Sequence, residues 1–406
     1  MNGFWSLVNF EYKKILRKRS VQITLLLAIL FTVFSVAGTL FGSYYVDGKP
    51  YESNYDAMVK DRTYARALAG RQLDGELIME TVGAYSGIPK SDGKYFDTEE
   101  YQKLARPYSG IYSIVRPVFN TYSRRFNMED FQVLTKEQAD QFYITRRAQQ
   151  EQLVEQTHMS AKAKEQVLAL DARIKTPLTF SYTDGYTRFF VLINTLGLTA
   201  AFVMAICVAP LFSGEYVSGA DQLILASKHG KNKLIAAKLF TGFSLAAVIC
   251  LVLIALSYGL SMGIFGADGS NAPLQLYEIL LPYPLTMGQT ALLLVLCTFF
   301  ACLMTAAITM LLSAKLKSPF GVIVLVGVLL IGPMLGRISH TNIVQYNLYR
   351  LFPTQMANFS SAVNSIQYEL LRLVVKPYVF LPLFAAAVSV LLTPFVYRSF
   401  KNHQIV

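Results

Sequence analysis

The sequence predicts an all-α polytopic membrane protein: six transmembrane helices, an N-terminal amphipathic helix and a mainly helical extracytoplasmic domain. Three observations carry that prediction. Apolar residues make up 53% of the 406 and charged residues only 16%, where soluble chains carry about a quarter charged. The apolar residues cluster into runs at 21–44, 189–213, 235–263, 288–313, 319–336 and 378–397. Each is long enough to cross about 30 Å of hydrocarbon as a helix, and none has an ionisable residue near its centre. The net charge of +11 is also unevenly placed. Segment 46–187 holds 19 Lys+Arg against 20 Asp+Glu, so the basic excess sits beside the apolar runs.

That excess orients the chain. Lys13, Lys14, Arg17, Lys18 and Arg19 precede the first run, and Lys228, Lys231, Lys233 and Lys238 follow the second. Lys315 and Lys317 follow the fourth, and Arg398 and Lys401 the sixth. With six crossings these places share one side, and basic loops mark the cytoplasm. Both termini are therefore expected in the cytoplasm, with 46–187, 264–287 and 337–377 outside. The layout that follows is an interface helix in 1–20, a first transmembrane helix in 21–45 and an extracytoplasmic domain in 46–187. Helices two to six fill 188–406, with a cytoplasmic loop at 214–234 and short outer helices within 337–377. Charge placed this way argues against nucleic acid as a partner. The N-terminus does not read as a cleavable signal, because no A-x-A site follows its apolar run.

Residues 3–18 place Phe4, Val8, Tyr12 and Ile15 at helical spacing, with Lys13, Lys14 and Arg17 opposite. Basic groups and Trp5 on such a helix suit the inner membrane surface; Phe10, Glu11 and Lys14 complete its candidate docking face. Within 46–187, stretches 54–82 and 136–174 read as helices, separated by Gly, Pro and Ser punctuation. The many tyrosines there (Tyr85, Tyr95, Tyr101, Tyr108, Tyr112, Tyr122, Tyr143) suit core or interfacial packing, or a ligand surface. Span two carries Asn194, Thr195 and Thr199, which line either a substrate path or ordinary interhelical hydrogen bonds. Span five ends at Gly332-Pro333, where the proline removes a backbone donor. Beyond it, 343–351 and 362–375 read as two short helices at the outer surface.

Several chemistries are missing. No G-x-x-x-x-G-K-[ST] phosphate loop, H-E-x-x-H or G-x-S-x-G occurs. The four histidines are dispersed, and the four cysteines (Cys207, Cys250, Cys297, Cys302) all fall in apolar runs, so no metal site and no disulfide framework is expected. No Asp, Glu or Lys lies mid-span, as ion-coupled carriers usually need. No catalytic residue is assigned.

The stretch between spans two and three is organised differently. Glu215 stands where span two leaves the membrane, Gly219 allows a bend, and Asp221 is placed to cap a short helix over 222–226. Leu223 and Leu225 follow, then Ser227, a basic turn with Lys228 and Lys231, and Lys238 opening span three. This order resembles the first cytoplasmic loop in permease subunits of ABC-2 type exporters; Ala220 and Lys228 stand where that family often has Thr and Pro. A large domain between spans one and two resembles the subset of sodium-efflux-like and antibiotic- or bacteriocin-related permeases. The resemblance implies a permease subunit without enzymatic activity, in a bacterial cytoplasmic membrane. It also implies a second permease, identical or related, and separate ABC ATPase subunits carrying ATP and Mg. The coupling residues would be Glu215, Gly219, Asp221, Gln222, Leu223, Leu225, Ser227, Lys228 and Lys231. Uncharged spans favour an amphipathic, lipid-like, peptide or drug-like cargo. A sensor that transports nothing and an ion-exporting permease are the alternatives.

Overall fold

A computed structural model describes residues 2–89, 95–120, 124–227, 230–336, 338, 342–371 and 373–403. Helix α1 (Asn2–Leu16) is followed by α2 (Arg19–Ala37). Ile23, Leu26, Leu27, Leu30 and Phe34 of α2 are all exposed, a distribution that suits lipid and not water. The helix stops short of the expected 44. Ser43–Val46 (β1) instead pairs antiparallel with Lys49–Ser53 (β2). The turn explains the change: Asp47 at φ 48° and Gly48 at φ 72° form a two-residue hairpin loop.

The polar domain contains α3 (Asn54–Leu68), α4 (Gly75–Ser86), α5 (Ser109–Val115), α6 (Met128–Gln132), α7 (Lys136–Asp140), α8 (Phe142–Glu155) and α9 (Ala161–Asp171). Both long helices expected here are broken. Gly70 takes φ 88° and Asp74 caps α4 by accepting from the Leu77 amide. The second stretch divides at Gln141, between α7 and α8, and again where Ser160 caps α9. Small polar residues at these points offer the backbone a competing partner. Tyr85, Tyr95, Tyr101 and Tyr112 are buried in the core, while Tyr122 lies outside the described residues; Tyr85 stacks on Tyr112 at 4.6 Å between ring centres and meets Phe131 edge-on at 5.4 Å. Burial pushes the Tyr101 and Tyr143 hydroxyls up to about 12. Buried Arg106 ties the start of the domain to its middle, bonding Asp61 at 2.6 Å, the Gln102 carbonyl oxygen at 2.7 Å, the Ala57 carbonyl at 3.0 Å, and Glu52.

The remaining chain forms the apolar bundle. In order these are α10 (Asp184–Val208), α11 (Pro210–Ser218), α12 (Ala220–Ala226), α13 (Ile235–Phe265), α14 (Met287–Lys315), α15 (Pro319–Leu335), α16 (Ile343–Tyr349), α17 (Pro353–Met356), α18 (Phe359–Ala362) and, after a hairpin, α19 (Pro377–Lys401). Among the described residues, five helical stretches are long and apolar enough to cross a membrane; α15 is apolar but 17 residues long. Helix α14 sits centrally, packed on α10, α13, α15 and α19. Small residues permit this: a Cβ on Gly197 of α10 would lie 2.8 Å from the Ala357 side chain and 3.1 Å from Thr298 of α14. The four cysteines are free and buried.

The region after α15 differs from the two outer helices expected. Three short helices occupy 343–362, and part of the second predicted helix is a hairpin of Tyr368–Leu370 (β3) and Leu373–Val375 (β4). Side-chain competition from Asn364, which bonds both the Ile366 amide and the Ser360 carbonyl, ends the helical run. Buried Arg350 then gathers the segment, donating to the Ser361 and Ile366 carbonyls. The polar domain seats on this end. Arg146 bonds the Ile279 carbonyl at 2.9 Å, Arg66 bonds Asp268 at 2.6 Å, and the Ser160 amide bonds Glu369 at 3.0 Å.

Candidate functional site

At the opposite end of the bundle, α10 passes into α11 through Ala209-Pro210. Proline cannot donate and disturbs the carbonyls a turn back. Ser313 of α14 repairs the break: its hydroxyl donates to the Ala209 carbonyl at 2.5 Å and accepts the Phe212 and Ser213 amides at 3.1 and 3.0 Å. Tyr216 adds a bond to the Ala314 carbonyl at 2.8 Å. The helix therefore continues past the expected exit, and residues 214–218 are helical, not loop. It ends at Gly219, whose φ of 67° is left-handed. Helix α12 then turns away, and a π-turn at Gly230–Leu234 leads into α13.

Four charged side chains lock this elbow. The Lys238 ammonium is fully buried on the inner turn of α13. It lies 2.5 Å from Glu215 of α11 and 2.8 Å from Glu11 of α1, and donates to the Leu211 carbonyl at 2.9 Å. Lys14 of α1 reaches Glu215 from the other side and is the half-exposed member. Two carboxylates and two ammonium groups make a neutral cluster that ties α1, α11 and α13 together. One oxygen of Glu11, Oε2, is buried without a partner among the described residues. Just outside, burial and the neighbouring Lys14 push the Lys18 ammonium below its usual range, with Glu215 opposing.

The C-terminal helix grips the other arm. Phe400 packs between Phe212 at 5.0 Å and Tyr216 at 5.7 Å. His403 lies against Tyr216, with its Nε2 3.8 Å from Asp221. The Tyr397 hydroxyl donates to the Lys231 carbonyl at 3.0 Å.

The expected site residues separate into groups. Glu215, Gly219, Asp221 and Leu225 lie together at the elbow; Glu215, Asp221 and Leu225 are buried and Gly219 is exposed. Asp221 does not cap α12: the cap residue is Gly219, without a side chain, and Asp221 lies in the first turn facing His403. Gln222, Leu223, Ser227 and Lys231 are exposed, with Val217 beside them. Lys228 lies outside the described residues. On α1, Trp5 and Phe10 are exposed, and Trp5 meets Phe240 of α13 edge-on at 5.4 Å; Glu11 and Lys14 join the charge cluster. Asn194 and Thr195 in α10 are half-buried, Asn194 Oδ1 has no partner among the described residues, and the Thr199 hydroxyl is spent on the Thr195 carbonyl at 2.8 Å.

Sequence reasoning missed the partnership of Glu11 with Lys238. The signal was present: Glu11 falls on the same helical stripe as Val8 and Ile15, both buried, and Lys238 sits inside an otherwise apolar run. A charge on a buried stripe calls for an opposite charge. Among the described residues no three His, Cys, Asp or Glu side chains gather to hold a metal ion. The cluster has no exposed nucleophile; what it can do is hold three helices at fixed angles.

A family model described as ABC-2 family transporter protein matches residues 18–357 of this chain. No curated protein and no solved structure gives a significant match.

Proposed function

The chain belongs to the ABC-2 family of transporter proteins, and from that premise we propose that it is the membrane subunit of an ATP-driven exporter. ATP and Mg would be handled by a separate ATPase chain docked at the elbow. Two permease subunits, identical or related, would complete the complex. The basic end of the bundle would face the cytoplasm with both chain termini, and the polar domain would lie outside. Helix α15 would supply a sixth crossing, since it starts beside α14 at the elbow end and its far half bonds Thr354 and Tyr349.

The observation that carries the coupling role is the elbow itself. Exposed Val217, Gln222 and Leu223 offer a small surface with apolar and polar parts on and beside α12. Behind them, Glu215 and Lys238 are rigidly paired. A push on α12 is thus delivered to α11 and α13, and through Ser313 to the central helix α14. The cargo on this reading is amphipathic, because the spans carry no mid-membrane charge. The test is ATPase stimulation and ATP-dependent export in the reconstituted complex, using Glu215→Ala and Asp221→Ala. Both variants are expected to weaken stimulation at least several-fold. Unchanged coupling in both would remove the elbow from the mechanism, and export that persists with an ATPase-dead partner would remove ATP as the driver.

A further inference from the structure

A large cavity lies at the other end, outside everything assigned above. It is a groove of about 870 Å³ between segment 173–181, which leads from α9 to α10, and the loop joining α13 to α14. That volume falls in the range of small-molecule sites. Leu178, Pro273 and Leu285 give it apolar walls, and no described Asp or Glu lines it. Arg173 and Lys175 stand exposed at its rim. The nearby carboxylates are already committed: Asp171 is held by two nitrogens of Arg146 at 2.8 and 2.7 Å, and Asp268 by Arg66 at 2.6 Å. The positive charge at the rim is therefore unbalanced.

The floor is the first turn of α14, but its amides are spent. Met287 donates to the Ala272 carbonyl, Gly288 to the Ser270 carbonyl and Gln289 to the Thr286 hydroxyl. Recognition thus falls to side chains. Gln289 accepts from the Thr286 amide through its oxygen, which leaves its NH₂ turned to other acceptors. Ser181 and Asn271 add further polar groups. Two cations, amide and hydroxyl donors, apolar walls and no acid describe a receptor for an anion attached to an apolar body.

We propose that this groove binds a phosphate-bearing amphiphile at the end of the bundle remote from the elbow, with Arg173 and Lys175 taking the phosphate. The proposal goes beyond the exporter reading and stands apart from it, because binding is measured without any ATPase.

The experiment is native mass spectrometry of the full chain in detergent, titrated with phosphatidylglycerol and, separately, with phosphatidylcholine. Wild type should retain phosphatidylglycerol about ten-fold more tightly. Arg173→Gln/Lys175→Gln should erase that preference, whereas Arg125→Gln, which removes an exposed charge elsewhere in the domain, should keep it. Arg173→Glu should invert it, which guards against a variant that merely unfolds. Inorganic phosphate is added as a competitor. Displacement by it supports the site with a free phosphate compound as the source; resistance, with selectivity intact, supports it with a lipid head group as the source. Equal retention of the two lipids by wild type, or a preference that survives the double substitution, overturns the proposal.

Discussion

Lys238 is the residue whose loss should be felt most. Its ammonium is fully buried between Glu11 and Glu215, so Lys238→Met leaves buried Glu11 without its counter-charge and Glu215 with only the half-exposed Lys14. Breaking one partner out of a buried pair costs about 3–5 kcal/mol. Glu11→Gln should cost less, since Lys238 keeps Glu215 and the Leu211 carbonyl. Lys14→Ala should cost at most about 1 kcal/mol, because Lys14 is partly solvated. Denaturant unfolding in detergent gives the order; a Lys238→Met variant no less stable than Lys14→Ala would show that the cluster does not hold the helices. Much of this site was legible. Glu215 and Gly219 stood out because a lone acid and a glycine interrupt apolar sequence. Glu11 did not, because among the basic residues of 1–20 it read as one more solvated charge, and only a partner 227 positions later gives it meaning.

At the scale of elements, the sequence was read well where periodicity is long and poorly where a few side chains decide. The apolar helices were legible because nothing competes with their backbone bonds in lipid. The breaks at Gly70 and Ser160, and the β3–β4 hairpin, were not, because local capping by Asp74, Ser160 and Asn364 outweighs helix-forming composition. The elbow bend gives a direct test. Gly219 is left-handed, and no described atom lies within 4 Å of where its Cβ would stand, so only backbone strain opposes substitution. Gly219→Ala should cost about 1 kcal/mol and lower ATPase stimulation, while Gly219→Asn, which tolerates that conformation, should retain it. Equal stimulation in both would show that the bend is not needed. The polar domain offers a second test. Burial raises the Tyr101 and Tyr143 hydroxyls to about 12, and Tyr85 further. Their raised folded values favour the protonated form, so this stability is present below about pH 10, the ordinary tyrosine value, and is lost as pH rises toward the folded values. Phenolate absorbance should therefore rise in two stages, exposed tyrosines first and the core only with unfolding; a single early stage would contradict the buried aromatic core.

The whole molecule is a bundle with chemically different ends, and that asymmetry is what the charge distribution had announced. Only six carboxylates lie outside 46–187, and the three at the elbow end, Glu11, Glu215 and Asp221, are all buried. The surface left at that end is cationic: Lys13, Arg17, Lys231, Lys233 and Lys317 stand exposed or half-exposed. On the proposed orientation, burial of these acids leaves the basic excess at the surface, where it would hold that end on the cytoplasmic face. Helix α15 is the weak point in such a layout. At 17 residues it spans about 25 Å, short of the roughly 30 Å hydrocarbon core, so a crossing by α15 would require thinning the bilayer or drawing on its flanks. Site-directed labelling decides. The four native cysteines are buried and give a low background, so single cysteines can be placed at Arg147, Lys175, Lys231 and Lys317 in intact cells. A membrane-impermeant maleimide should label Arg147→Cys and Lys175→Cys at once, and Lys231→Cys and Lys317→Cys only after permeabilisation. A cysteine at Asn347, in α16 beyond α15, should label with the first pair if α15 crosses. Labelling of the Asn347→Cys site with the elbow pair would mean five crossings, and would place the Arg350-centred segment on the same side as the ATPase.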